Sequence, residues 1–149
     1  MVQDNPVETV ADYMTTKMVT TSEKDSVLQI ARIMADRGIS SVAITNDGKR
    51  IRGILTERDI ISAIAKGIPP DGVTSGSLMS QPVVAIDKGA SVEDAARIMA
   101  QKKLRHLLVE DAVTREIVGI ITVTDLARYL KRSLTDEELI ASEVWELFF

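Results

Sequence analysis

The chain has 149 residues, of which 45% are hydrophobic and 27% charged, and a formal net charge of -4. That length suits one compact domain or two small units sharing a core. The acidic balance argues against nucleic acid as a partner, because such binders neutralise phosphates over a basic face. Cysteine is absent and His106 is the single histidine. That removes disulfides, thiolate metal sites and multi-histidine metal sites, and a cytoplasmic location is the default expectation.

No run approaches the roughly 20 apolar residues of a bilayer helix, so no membrane association is expected. The opening MVQDNPVETV is mixed and acidic, without the basic start and apolar stretch of a signal peptide. Aromatic residues are only 3%, so the core must be built from Val, Ile, Leu, Ala and Met. Such a composition points to interleaved aliphatic strands and helices.

The chain repeats itself. From Met14 and Met79 the two halves run in parallel at an offset of 65, with Val19/Val84, Ser26/Ser91, Val27/Val92 and the ARIMA blocks beginning at Ala31 and Ala96 in register. After a one-residue insertion the offset becomes 66, and GILTERDI from Gly53 matches GIITVTDL from Gly119. In each half a serine, Ser26 or Ser91, is placed as a helix N-cap, with Gln29 or Asp94 placed to complete a capping box. Val27, Ile30, Ala31 and Met34, and likewise Val92, Ala95, Ala96 and Met99, then recur at helical spacing. Gly38 suits the left-handed stop of the first helix, and Lys103 holds the same place in the second.

Strands are predicted over Ile39–Thr45 and Arg105–Val109. Asn46-Asp47-Gly48 is a hairpin turn signal leading to a strand over Ile51–Thr56, and Asp111 to Glu116 turns less tightly toward Ile117–Thr122. Closing helices are predicted over Glu57–Lys66 and Val123–Lys131. The fold class is therefore mixed α/β (α+β), two β-α-β-β-α repeats. A unit of about 55 residues buries too little surface to be comfortable alone, so the two are expected to pack together. The expected boundaries are an N-terminal extension (1–9), repeat 1 (10–67), a linker (68–76), repeat 2 (77–132) and an amphipathic C-terminal helix (133–149). In that last segment Leu139, Ile140, Val144, Leu147 and Phe148 form an apolar stripe beside acidic residues. It packs on its own protein or a dimer mate, or it docks a partner.

From about Val10 to Leu130 the sequence closely resembles the cystathionine-β-synthase-type (CBS) domain family. The residues that carry the resemblance are the opening Met-Thr/Ser pairs, the Ser-Val-x-x-Ala helix starts, GISSVAI and KLRHLLV, and the Gly-x-x-Thr-x-x-Asp endings, all occurring twice in order. The resemblance implies a pseudo-twofold pair of repeats with two clefts for AMP, ADP, ATP or a related adenosyl compound. It also implies a regulatory rather than catalytic role, and a homodimer.

Thr56-x-x-Asp59 and Thr122-x-x-Asp125 stand at strand-to-helix junctions, where such a spacing makes a capping box. An ionised aspartate there can also accept both hydrogens of a ribose diol, and Gly53 and Gly119 are read as glycines that let a ligand approach the backbone. With the resemblance, Asp59, Asp125, Thr56 and Thr122 are the expected ribose-binding residues. By resemblance, Val19, Ile39 and Ser40 form one adenine slot and Val84, Leu104 and Arg105 the other, with Ile54 and Ile120 contributing. Apolar members of these slots equally suit a plain core role. A cleft in the family draws base contacts from one repeat and sugar contacts from the other, which pairs the Val19 slot with Ile120, Thr122 and Asp125. Arg105 and His106 interrupt an apolar strand at a position where the family faces phosphate, whereas repeat 1 has Ser40-Ser41 there. Arg58 and Thr124 are further phosphate candidates. The two clefts are thus expected to differ, the one beside Arg105 and His106 favouring the more highly phosphorylated ligand.

The expected function is a non-catalytic regulatory module that binds an adenine nucleotide, requires no cofactor or metal, and acts on a separate regulated protein. The alternative is a structural or interaction module with degenerate clefts. An enzyme is not expected, since no P-loop or Rossmann fingerprint is present.

Overall fold

The computed structural model describes residues 8–48, 50–81 and 83–133. The elements in order are α1 (Val10–Tyr13), β1 (Thr20–Ser22), α2 (Val27–Arg37), β2 (Ser41–Thr45), β3 (Ile51–Thr56), α3 (Glu57–Ala65), α4 (Ser75–Leu78), β4 (Ala85–Asp87), α5 (Val92–Lys102), β5 (His106–Glu110), β6 (Ile117–Thr122) and α6 (Val123–Ser133). The C-terminal helix expected over 133–149 lies, beyond Ser133, outside the described residues.

Two three-stranded sheets result, ordered β1-β2-β3 and β4-β5-β6. In each, the first pair is parallel (Thr20 opposite Ala43, Ala85 opposite Leu108) and the second antiparallel (Ala43 opposite Ile54, Leu108 opposite Ile120). A parallel pair needs a crossover, which α2 and α5 supply. This is the mixed α+β class read from the repeat.

The caps explain where the crossover helices begin and end. Ser26 accepts from the Gln29 N–H at 3.2 Å while the Gln29 side chain accepts from the Ser26 N–H at 2.8 Å, a full capping box. Ser91 accepts from the Asp94 N–H at 3.1 Å, but the Asp94 carboxylate pairs with Arg97 at 2.7 Å. The capping box expected at Asp94 is therefore only half formed: an arginine one turn on outcompetes the backbone amide for the carboxylate. Gly38 (φ 62°) and Lys103 (φ 54°) both end their helices in the left-handed region. At the hairpin, Asp47 and Gly48 also take positive φ, 69° and 74°.

The chain divides into two compact units, one within Met18–Val84 and one within Met1–Lys17 together with Ala85–Phe149. We call them the repeat-1 and repeat-2 units after the sheet each contains. Their boundaries cut across the repeats, because each unit takes its opening segment from the other repeat's sequence. In the repeat-1 unit, Ser80 and Ile54 exchange backbone hydrogen bonds (2.9 and 3.3 Å), so Met79-Ser80 lies against the edge of β3. In the repeat-2 unit, Thr15 and Ile120 do the same at 2.8 and 2.9 Å, so Met14-Thr15 lies against β6. The stretch read as a linker is also tied down: Val27 and Leu28 donate to the carbonyls of Val73 and Pro70, and the fully buried Ser75 hydroxyl donates to the Ser22 carbonyl at 2.9 Å.

The repeat-1 core joins Val27, Ile30 and Met34 of α2, Val42 and Ile44 of β2, Leu55 of β3, Ile60 of α3 and Met79. The repeat-2 unit buries Val10, Tyr13, Val92, Ala96, Met99, Leu107, Leu108, Ile121 and Leu126 in the corresponding elements. There α1 is pinned to α6 by an edge-to-face contact of Tyr13 with Tyr129, centroids 5.5 Å apart. The Tyr129 hydroxyl donates to Glu93; burial, then that carboxylate, hold it above the usual tyrosine range.

The close approach of the opening segments accounts for Gly53 and Gly119. A Cβ at Gly53 would stand 2.7 Å from Met79 Sδ and 2.8 Å from the Ser80 carbonyl oxygen. At Gly119 it would meet the Thr15 carbonyl oxygen at 2.8 Å and Met14 Sδ at 2.9 Å. The expectation that these glycines admit a ligand is corrected: the chain's own Met-Thr/Ser segments fill that space. Gly53→Ala or Gly119→Ala should therefore cost about 1–3 kcal/mol and lower the melting temperature by several degrees; an unchanged melt would contradict the packing. Lys103→Gly should raise stability by up to about 1 kcal/mol, by relieving a left-handed lysine where repeat 1 has glycine, and Gly38→Ala should lower it comparably. Denaturant unfolding reads both.

Candidate functional site

Each unit brings its sequence-predicted polar residues to one place, the junction where the last strand meets the closing helix. In the repeat-1 unit, Thr56 caps α3: its N–H donates to Asp59 Oδ2 at 2.9 Å and its hydroxyl accepts from the Asp59 N–H at 3.2 Å. In the repeat-2 unit, the Thr122 N–H and hydroxyl both donate to Asp125 Oδ2, at 2.8 and 3.2 Å, and the Asp125 N–H donates back to the hydroxyl at 3.4 Å. Both pairs are thus complete capping boxes, each fixing one carboxylate oxygen on the backbone.

The same junctions gather the residues that precede β2 and β5. The Glu57 N–H donates to the Ser40 carbonyl at 3.0 Å, and the Val123 N–H to the Arg105 carbonyl at 3.1 Å. Ser41 pairs with Thr56 and His106 with Thr122 across the antiparallel ladders. Ser40 therefore lies beside the Thr56–Asp59 cap, and Arg105 and His106 beside the Thr122–Asp125 cap. Arg105, read as part of the strand, stands just before it; His106 is the first residue of β5. Arg58 and Thr124, in the first turns of α3 and α6, are exposed.

The apolar candidates separate. Val19 and Ile39 are half-buried and pack against the repeat-1 core, and the Val19 carbonyl accepts from the Ala43 N–H at 3.1 Å. Ile54 and Ile120 are half-buried, their backbones engaged by Ser80 and Thr15. Val84 ends the repeat-1 unit, while Leu104 and Arg105 belong to the repeat-2 unit. Ile39 also lines a groove of about 490 Å³ between α2 and α3, with Ala31, Met34, Gly38, Ile60 and Ile61. Among the described residues, no group of three or more His, Cys, Asp or Glu side chains is arranged to hold a metal ion. Nor is any helix of the described residues long and apolar enough to cross a membrane.

Two side chains at these junctions escaped sequence reasoning. Asp59 Oδ1 receives the Ser80 hydroxyl at 3.4 Å, a contact made by the opening segment of repeat 2. Asp125 Oδ1 receives Arg128 Nη2 at 2.7 Å, and the same nitrogen donates to the Tyr13 carbonyl at 3.0 Å. Arg128 follows Asp125 by three residues on α6, so helical spacing signals that pair in advance. Nothing in the sequence places Ser80 near Asp59.

Comparison with known proteins agrees with this architecture. The chain is 33% identical over 124 residues to the uncharacterized protein MK0525 of Methanopyrus kandleri, matching 80% of this chain but spanning only 63% of that protein's length. It is 30% identical to Hypoxic response protein 1 of Mycobacterium tuberculosis over 82% of this chain and 85% of that protein. The fold is shared with the CBS domain pair of MJ0100 bound to 5′-methylthioadenosine and S-adenosyl-L-methionine (TM-score 0.76, 24% identity, 85% of this chain and 98% of that one). It is shared too with CBSX2 bound to AMP (TM-score 0.72, 22% identity, 83% and 96%). The CBS-domain family model matches twice, over residues 10–66 and 76–132. The chain belongs to the CBS-domain family and carries two CBS domains in tandem.

Proposed function

We propose that the chain is a non-catalytic regulatory module that binds an adenine nucleotide, with Asp59 and Asp125 accepting the ribose diol. The observation that carries this reading is the repeated junction itself. A buried or half-buried carboxylate is held by its own helix cap, one oxygen on the backbone and the other turned to side chains, beside residues 40 or 105–106. A carboxylate oriented by its cap loses little freedom on accepting a diol, and charge-assisted hydrogen bonds are the stronger kind. Thr56 and Thr122 remain available to the sugar through their hydroxyl lone pairs. Arg105 and His106, with Arg58 and Thr124, are the phosphate contacts. Val19, Ile39, Ser40, Val84, Leu104, Ile54 and Ile120 supply apolar surface and backbone groups to adenine. The adenosyl ligands of MJ0100 and the AMP of CBSX2 support this ligand class. Regulation would be exerted on a separate protein in the cytoplasm.

The same caps favour one competing reading: Thr-x-x-Asp suffices to start a helix, and a purely structural module would need it no less. Thermal unfolding with AMP, ADP, ATP, S-adenosylmethionine and NAD separates them, since a ligand bound only to the folded state stabilises it by about 2.7 kcal/mol at a hundredfold excess over Kd. A rise of several degrees with at least one adenosyl compound is expected, reduced in Asp59→Asn and Asp125→Asn, which keep an oxygen for the cap but lose the charge. No shift at millimolar concentration from any of the five leaves the structural reading standing. A homodimer is also proposed, supported by Ile61 and Ile64 of α3, which are 66% and 56% exposed, Ile61 also lining the α2–α3 groove. Ile61→Asp with Ile64→Asp should then convert a dimer to a monomer in sedimentation; a monomeric wild type would contradict it.

A further inference from the structure

The two carboxylates are equivalent in sequence but not in what holds their second oxygen. Asp125 is 6% exposed and both of its carboxylate oxygens are held: Oδ2 by the Thr122 N–H and hydroxyl at 2.8 and 3.2 Å, and Oδ1 by the Arg128 guanidinium at 2.7 Å. Asp59 is less buried, and among the described residues its Oδ1 meets only the Ser80 hydroxyl at 3.4 Å, at the limit of a hydrogen bond. The residue at the Arg128 position in repeat 1 is Ser62, exposed on α3 and too short to reach across a helical turn as arginine does. A diol must bring two donors to the carboxylate. At Asp59 it displaces one weak hydroxyl contact; at Asp125 it competes with a charged donor that is also anchored on the Tyr13 carbonyl.

We propose that Arg128 is a specificity-determining residue that keeps Asp125 closed to a cis-diol, so that Asp59 is the primary sugar acceptor. Resting on the ribose reading above, it assigns that reading unequally to the two CBS domains. The Arg128 side chain is 59% exposed, so it has room to swing away, and the closed state is an equilibrium that substitution can shift. The determinant lies on the face of α6 rather than in the Arg105–His106 pair where the repeats differ most visibly.

Exchanging the two residues on the full chain tests this, with adenosine as probe and 2′-deoxyadenosine as the control that lacks the diol. Titration calorimetry on the wild type should show one tighter class of site, lost in Asp59→Asn. Arg128→Ser should tighten the weaker class at least tenfold for adenosine and not for 2′-deoxyadenosine, a selectivity that mere loosening of α1 would not produce. Arg128→Lys, which keeps a cation, should leave that class weak. Ser62→Arg should weaken the tighter class at least tenfold. With both exchanges in one chain, Asp125→Asn instead of Asp59→Asn should remove the tighter class. If adenosine binding depends on the diol but neither exchange moves it, or if Arg128→Ser weakens both classes, the inference falls and the ribose reading stands. If adenosine and 2′-deoxyadenosine bind equally, or neither binds wild type or Arg128→Ser, the ribose reading falls and takes the inference with it.

Discussion

The reciprocal cap between a threonine at the end of a strand and an aspartate three residues later organises each unit. The last strand and the closing helix meet at a single residue, with no loop between them: β3 ends at Thr56 and α3 begins at Glu57, and β6 and α6 meet likewise at Thr122 and Val123. A junction that abrupt leaves the first helical amides without partners unless side chains and neighbouring carbonyls supply them. Asp59 and Asp125 satisfy the threonine amide, threonine satisfies the aspartate amide, and the carbonyls of Ser40 and Arg105 take the next. The residues before the central strand are thereby drawn to the helix start, and a carboxylate is held beside them. One element of local helix physics creates both an abrupt strand-to-helix corner and the carboxylate held beside it.

A second constraint acts on the outer edge of β3 and β6. Each edge strand carries a glycine, and the opening segment of the other repeat's sequence lies against it within 3 Å of where a side chain would begin. A duplicated unit whose opening segment completes the other copy cannot be cut at the sequence repeat without removing part of a core. Val10 and Tyr13 are buried in the repeat-2 unit and Met79 in the repeat-1 unit. The family match over 10–66 and 76–132 describes descent by duplication, while the compact units describe how the cores are assembled.

Much of this was legible in the sequence, and the misses have a common cause. Serine caps at 26 and 91, the left-handed stops at Gly38 and Lys103, and the four strands β2, β3, β5 and β6, placed to within two residues, all follow from local rules acting over short stretches of chain, whereas the short opening strands β1 and β4 have no bounds in the sequence reading. The repeat, read against itself, exposed the class of fold. What local rules could not reach were contacts made across the chain. From sequence alone Gly53 and Gly119 suggest room for a ligand, because the segment that fills the space lies about 26 residues downstream in one case and over a hundred upstream in the other. Ser80 was invisible for the same reason. Asp94 failed to complete its box because Arg97 competes for its carboxylate, and Arg128 engages Asp125 by the same i,i+3 geometry; these two could be anticipated from helical spacing, and they show that a carboxylate in a first turn has more than one suitor.

The central claim is that the helix caps at Thr56–Asp59 and Thr122–Asp125 are also where a nucleotide's sugar is held. Amide chemical shifts followed by two-dimensional NMR during an AMP titration test it most directly, because the Thr56 and Thr122 N–H groups donate to the very carboxylates in question. Saturable shifts at Thr56, Asp59 and Ser40, or at Thr122, Asp125 and Arg105, are predicted, with the purely structural box at Ser26 and Gln29 unmoved. Saturable binding that leaves all six of those amides in place would contradict the account.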